Sequence, residues 1–224
     1  MIKAIAFDLD DTLLDTSGLL APQATVQAFE LMIKRGLKLS TAQCEAFRQQ
    51  LVKTMSHREV FEKLAAKYGT DETRTALPEI TSTFYEPKVP AKLPLIEGAR
   101  QNIDYLKAKY TLYLVTAGAE KSQLEKVKAL GVLSDFKKVY VVNSLTNQRK
   151  YDVFSDIIKD MSIKNEELLC IGNSLLSEIH DALSIGAKAC YFEFGEARGS
   201  LAELSRKPDY HITQHSQLIT ACQL

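Results

Sequence analysis

Beyond Pro94 the sequence alternates short apolar runs with longer amphipathic stretches, a pattern that few architectures accommodate. Strands are predicted at Leu112 to Thr116, Val139 to Val142, Leu168 to Ile171 and Ala189 to Phe194, with a short edge strand at His211 to Thr213. Between them fall helices at Gly98 to Lys109, at Ala119 to Leu130 with Gly131 as its stop, and at Tyr151 to Met161. A last one spans Leu175 to Ile185 and ends at Gly186. Residues 2 to 9 add one strand far upstream. Alternation at this spacing predicts a parallel sheet with helices on both faces. Ligands of such sheets gather at the carboxyl ends of the strands.

The stretch from Ser17 to Pro94 reads differently. It is helical throughout, with no convincing strand. Pro22 can open a helix that carries Val26, Phe29 and Ile33 on a helical period. Ser40 with Gln43, and Ser56 with Glu59, are capping-box signatures for two more, and Gly69 closes the second of these. A fourth helix is predicted from Asp71 toward Tyr85, followed by an extended return through Pro87, Pro90 and Pro94. The expected fold is therefore α/β: a Rossmann-like parallel-sheet core of residues 1–16 and 95–224, with a helical domain of residues 17–94 inserted after the first strand.

Composition narrows the function classes. Among 224 residues, 28 Lys and Arg balance 28 Asp and Glu, which argues against nucleic-acid binding and against a polybasic membrane surface. No apolar run approaches the roughly 20 residues that span a bilayer. Met1-Ile2-Lys3-Ala4 leads directly into a strand with no signal-peptide pattern, so a cytoplasmic protein is expected. Cys44, Cys170, Cys190 and Cys222 are scattered without a CxxC pair and read as reduced thiols rather than zinc ligands.

The strand ends hold the chemistry-bearing residues. Ile5-Ala6-Phe7 runs into Asp8-Leu9-Asp10-Asp11-Thr12. On an extended chain Asp8 and Asp10 point the same way. Neighbouring carboxylates repel and resist desolvation unless a cation or a shared proton holds them. The pair suits a divalent metal site or a nucleophile with an acid/base partner, and a solvated acidic turn is the plain alternative. Thr116-Ala117-Gly118 offers a hydroxyl and backbone amides to an anion, or makes an ordinary turn. Lys150 precedes a helix and matters only if it points back toward the carboxylates. Asn173 and Glu178 can give oxygen ligands to a metal, or Asn173 can cap a helix.

Taken in order, these segments resemble the haloacid dehalogenase-like hydrolase superfamily over Phe7 to about Phe194. Asp8-Leu9-Asp10-Asp11-Thr12-Leu13 resembles its first motif and Leu114-Val115-Thr116-Ala117-Gly118 its second. Lys150 with Asp152 and Phe154 resembles the third, Tyr151 replacing a Pro. Ile171-Gly172-Asn173-Ser174 through Glu178 resembles the fourth. The insertion is similar to the family's C1-type cap. The resemblance implies a phosphatase of a small phosphorylated metabolite, monomeric or homodimeric, using Mg²⁺. It implies Asp8 as the nucleophile that becomes an aspartyl-phosphate, and Asp10 as the acid/base. Mg²⁺ would be held by Asp8, the Asp10 backbone carbonyl, and Asn173 or Glu178. Thr116, the amides of Ala117 and Gly118, and Lys150 would bind the phosphoryl group. Thr12 would order the turn, and Asp11 would be solvated.

Where the family usually has a metal-binding Asp, this chain has Asn173, which removes a negative charge and predicts weaker Mg²⁺ binding. A phosphomutase or phosphonatase, and a catalytically weak binding or regulatory protein, are the alternatives. A phosphonatase needs a Schiff-base lysine in the insertion, for which Lys34, Lys53, Lys63 and Lys67 are available, and the weak binding protein rests on Asn173. In the insertion, Arg48, Gln49, His57 and Arg58 are the polar candidates for substrate contact. His180, His211 and His215 read as surface or helix-end residues.

Overall fold

The computed structural model describes residues 1–143, 148–196 and 199–224. It divides into two units, residues 1–16 with 89–224, and residues 17–88.

In the larger unit the strands are β1 (Ala4–Phe7), β2 (Thr111–Ala117), β3 (Lys138–Val142), β4 (Leu168–Gly172), β5 (Lys188–Phe192) and β6 (Tyr210–Ile212). They form one parallel sheet in the order β3-β2-β1-β4-β5-β6. After β1 the chain builds β2 and β3 to one side, then crosses back to place β4, β5 and β6 on the other. The reversal falls between β1 and β4, where the carboxyl ends of parallel strands leave a ligand crevice.

Helices of this unit are α7 (Ala99–Lys107), α8 (Glu120–Ala129), α9 (Lys150–Asp160), α10 (Glu178–Ser184) and α11 (Leu218–Cys222). Side chains alternate across a strand, so each strand feeds both layers. Ala4, Ala6, Tyr113, Val115, Leu168 and Cys170 pack with Val153, Phe154 and Ile157 of α9 and with Ile179 and Ala182 of α10. The small Ala side chains of β1 let those helices sit close. Ile5, Phe7, Leu114 and Ile171 face the opposite layer, equally buried, where α7 packs on β2. The four cysteines are buried free thiols.

The smaller unit is helical: α2 (Ala21–Lys34), α3 (Thr41–Leu51), α4 (His57–Tyr68), α5 (Asp71–Thr75) and α6 (Leu77–Tyr85), preceded by α1 (Thr16–Leu19), which straddles the boundary. Its core holds Phe29, Met32, Val60, Phe61, Leu64 and Ile80. The Ser40–Gln43 and Ser56–Glu59 capping boxes both form. The single helix expected from Asp71 to Tyr85 is interrupted at Ala76, because Pro78 lacks an amide hydrogen and cannot continue the α5 ladder.

Two boundaries differ from the sequence expectation. The chain re-enters the larger unit at Val89 rather than residue 95. Leu93 N donates to Ala129 O and Ile96 N to Leu13 O, which bind this extended stretch to the sheet unit. The helix expected from Leu175 begins at Glu178, because the Glu178 side chain turns back to accept from Ser174 N at 2.6 Å. Among the described residues no helix is long and apolar enough to cross a membrane.

Candidate active site

Asp8 follows β1 directly, and its amide donates to Ile171 O of β4 at 2.9 Å, so the strand pairing runs up to the carboxylate. Beyond it the chain folds tightly: Thr12, Leu13 and Leu14 N all donate to Leu9 O. Asp11 adopts a positive φ of 53° in this turn. It is buried rather than solvated, and its Oδ2 accepts from Glu196 N at 3.1 Å. Gly195 makes room for this contact, since a Cβ there would lie 2.4 Å from Asp11 Cγ.

Lys150 does point back toward the carboxylates. It is buried, donating to Asp8 Oδ1 at 2.6 Å and to Glu178 Oε2 at 2.9 Å. The start of α9 is fixed by α10: Asp181 Oδ2 accepts from Tyr151 N at 3.0 Å, and Asp181 Oδ1 pairs with Arg149. Glu178 lies flat against β4, and a Cβ on Gly172 would approach its Cγ to 2.4 Å, so any larger residue there would displace the Glu178 side chain. Both Glu178 oxygens therefore have protein donors, Lys150 and Ser174 N. Burial pushes the Asp8 carboxyl up to about 7; Lys150 counteracts it and the Glu178 charge adds to it. Burial works against a charge on Lys150, but Asp8 and Glu178 outweigh that and keep it above the usual lysine range.

Asp10 has a separate set of partners. Lys126 Nζ and Thr16 Oγ1 donate to its Oδ1 at 2.8 and 2.5 Å, and Gln123 Nε2 donates to its Oδ2 at 2.8 Å. Burial, the largest single effect, would raise its pKa, but Lys126 and the hydrogen bonds from Thr16 and Gln123 together outweigh it, and the carboxyl lies below its ordinary value.

Of the residues expected to hold a phosphoryl group, Thr116 is buried, and its Oγ1 has no hydrogen-bond partner among the described residues. The Gly118 amide is not available in this way, because it donates to Val142 O at 2.9 Å. The Ala117 carbonyl accepts from Gln123 Nε2 at 2.8 Å. Gly118 instead provides clearance, since a Cβ would come within 2.6 Å of Gln123 Nε2. Asn173 is buried, and its Nδ2 donates to Phe194 O at 3.2 Å, which turns the amide oxygen to the other side.

Sequence reasoning missed Lys126, Gln123 and Thr16. The sequence carries no signal for Gln123 and Lys126, which sit in a charge-rich helix; only the structure shows that the buried face of α8 carries Ser122, Gln123 and Lys126 while Leu124 is exposed. It also missed His215, which is buried rather than superficial. Asn102 Nδ2 donates to His215 Nδ1 at 3.2 Å, so His215 Nε2–H donates to the Thr12 carbonyl at 2.7 Å and braces the turn that follows Asp8. In the smaller unit, Arg48 and Gln49 bond Glu45, Arg58 bonds Glu62, and buried His57 stacks on Phe84 at 4.1 Å.

The donors near Asp8 suit a hard divalent cation. They are a carboxylate, a main-chain carbonyl and an amide oxygen, although among the described residues no group of three His, Cys, Asp or Glu side chains is set out as a metal site. Three carboxylates (Asp8, Asp10 and Glu178) stand against two lysines (Lys126 and Lys150), leaving one excess negative charge in a largely buried cluster. A cation beside Asp8 would relieve both that excess and the elevated Asp8 pKa.

Comparison with known proteins bears on the family and the fold. The family model for haloacid dehalogenase-like hydrolases matches residues 5–192. The glyceraldehyde 3-phosphate phosphatase of Pyrococcus furiosus is 29% identical over 223 residues, covering 97% of this chain and 92% of that protein. A predicted phosphoglycolate phosphatase from Haemophilus somnus 129pt superposes with a TM-score of 0.74 at 19% identity, covering 99% of this chain and 98% of that one. The Bacillus subtilis HAD-hydrolase YfnB, solved bound to magnesium, gives a TM-score of 0.64 at 21% identity, covering 100% and 99%.

Proposed function

Since the chain belongs to the haloacid dehalogenase-like hydrolases as a phosphatase-like enzyme, we propose that it hydrolyses a small phosphomonoester through an aspartyl-phosphate on Asp8. The observation that carries this reading is the pairing of Asp8 and Asp10. The two carboxylates lie two residues apart, each with its own buried lysine and with pKa shifts of opposite sign. Phosphoryl transfer through an enzyme carboxylate needs one acid that attacks and another that moves a proton.

In the first step an Asp8 oxygen bonds to phosphorus while the bond to the ester oxygen breaks, and Asp10 gives that oxygen a proton. In the second, water attacks the aspartyl-phosphate, its proton passes to Asp10, and Asp8 is regenerated with release of phosphate. Lys150 balances charge on Asp8 and on the phosphoryl oxygens, and the Thr116 hydroxyl donates to one of those oxygens. Lys126 favours ionised Asp10, which suits the base role directly. A phosphate dianion next to Asp10 opposes that effect and favours its protonated form for the acid role. Asp8, the Asp10 carbonyl and Asn173 would hold Mg²⁺, which supplies electrophilic stabilisation of the phosphoryl oxygens. Glu178 serves as the anchor of Lys150.

The Pyrococcus relative's name supports a small phosphorylated substrate of few carbons. The test is phosphate release from p-nitrophenyl phosphate and from a panel of three-carbon and two-carbon phosphates with Mg²⁺, for wild type and Asp8→Asn. Activity in wild type and none in Asp8→Asn is expected. Equal inertness across metals and substrates would sink the reading.

A further inference from the structure

The partners of Asp10 raise a question that phosphatase chemistry alone does not answer: why a helix should bury Gln123 and Lys126 beneath an acid/base. A carboxylate has about four lone-pair positions, two per oxygen. Oδ1 accepts from both Thr16 and Lys126, and Oδ2 accepts only from Gln123. Three donors on two elements, Thr16 of α1 with Gln123 and Lys126 of α8, therefore fix the carboxylate plane and, among the described residues, leave one position, on Oδ2. Gln123 is itself held, since the same amide nitrogen donates to Ala117 O at the end of β2, and Gly118 keeps its path clear.

We propose that Lys126 and Gln123 are positioning residues that orient Asp10 so that its Oδ2 meets the leaving-group oxygen of the substrate. This rests on the phosphatase reading above and extends it to α8. The transfer is local: as the phosphorus–oxygen bond breaks, the proton on Oδ2 passes to the departing oxygen, and Lys126 and Thr16 remain on Oδ1. Neither Lys126 nor Gln123 exchanges a proton with substrate.

Leaving groups separate this role from a merely structural one. An alkyl phosphate needs a proton to depart, whereas p-nitrophenolate leaves without one. With Mg²⁺ present, kcat/KM is measured for glycerol phosphate and for p-nitrophenyl phosphate, in wild type, Lys126→Met, Lys126→Arg and Gln123→Leu. Lys126→Met is expected to lose on the order of 10²-fold on glycerol phosphate, as loss of acid catalysis implies, and only a few-fold on p-nitrophenyl phosphate. Lys126→Arg should fall between Lys126→Met and wild type. Gln123→Leu, which keeps both charges paired, should show the same asymmetry to a lesser degree and serves if Lys126→Met does not fold. Equal losses on the two substrates, or no loss on either, would overturn the proposal while leaving the phosphatase reading intact. A wild type as inert as Asp8→Asn would overturn both.

Discussion

Lys150 reaches Asp8 at 2.6 Å and Lys126 reaches Asp10 at 2.8 Å, so contact length does not distinguish the two buried ion pairs at the end of β1. Their carboxyls nevertheless shift in opposite directions. The difference is one of sharing. Lys150 divides its charge between Asp8 and Glu178, while Lys126 serves one carboxylate, which has two neutral donors besides. Solvent widens the gap: the Asp8 side chain is 8% exposed and that of Asp10 is 28% exposed. A carboxylate with more acceptors than donors around it needs a further cation; one with more donors than acceptors is already settled. The first suits a metal-assisted nucleophile and the second an oriented proton carrier.

The harshest way to break this comparison is to remove each acid in turn. Asp8→Asn should lower phosphate release by about 10⁴-fold or more, as loss of a nucleophile does, on every ester tested. Asp10→Asn should spare p-nitrophenyl phosphate more than an alkyl phosphate in kcat/KM. Removing the lysines asks which pair the fold depends on. Lys150→Met strands Asp8 and Glu178 together and should cost about 3–5 kcal/mol in urea unfolding. Lys126→Met should cost less, about 1–3 kcal/mol, because Asp10 keeps Thr16, Gln123 and some water. Equal costs would mean that sharing is not what separates the pairs.

A gentler probe restores the missing charge. Asn173→Asp should tighten Mg²⁺ binding several-fold by titration calorimetry. An unchanged affinity would remove Asn173 from the metal site. The smallest effect is on pH. Asp8 titrates near 7 when folded against an ordinary 3.8, so the folded state holds its proton across that window. Metal-free stability should therefore be greatest at the acid end of the window and fall as pH rises from about 4 to 7. Glu178→Gln leaves Lys150 to Asp8 alone and should flatten that slope, as read from urea midpoints along a pH series.

The strand-end residues were legible because their types are improbable in sheet cores. An Asp pair after Ile5-Ala6-Phe7, a Thr-Ala-Gly turn and a Lys before a helix each stood out against apolar runs. What stayed hidden was polar chemistry on elements that looked ordinary. Gln123 and Lys126 occupy positions of α8 that pass for solvated helix, and only burial shows that they face Asp10. Asp11 and His215 were hidden for a related reason. Each is enclosed by segments distant in sequence, through Glu196 N and through Asn102 with the Thr12 carbonyl. Glu178 was read as a possible metal ligand by residue type, whereas the structure gives both its oxygens protein donors. Within the inserted helical unit the two Ser capping boxes were legible because they are local in sequence, while the break at Ala76 and the boundary at Val89 were not.

The place of β1 in the sheet also bears on the order of folding. Its four residues leave the ribosome before those of any other strand here, yet they pair only with β2 and β4, which begin at Thr111 and Leu168. The whole helical insertion is synthesised in the interval and can fold on contacts of its own. The strand that bears the carboxylates must wait for long-range partners, and closing such loops is what makes parallel sheets slow. Until β4 arrives, Ala4–Phe7 is an apolar segment with an unpaired edge. Assembly of the Asp8–Thr12 turn is thereby tied to a late, non-local step rather than to the local helices that form first.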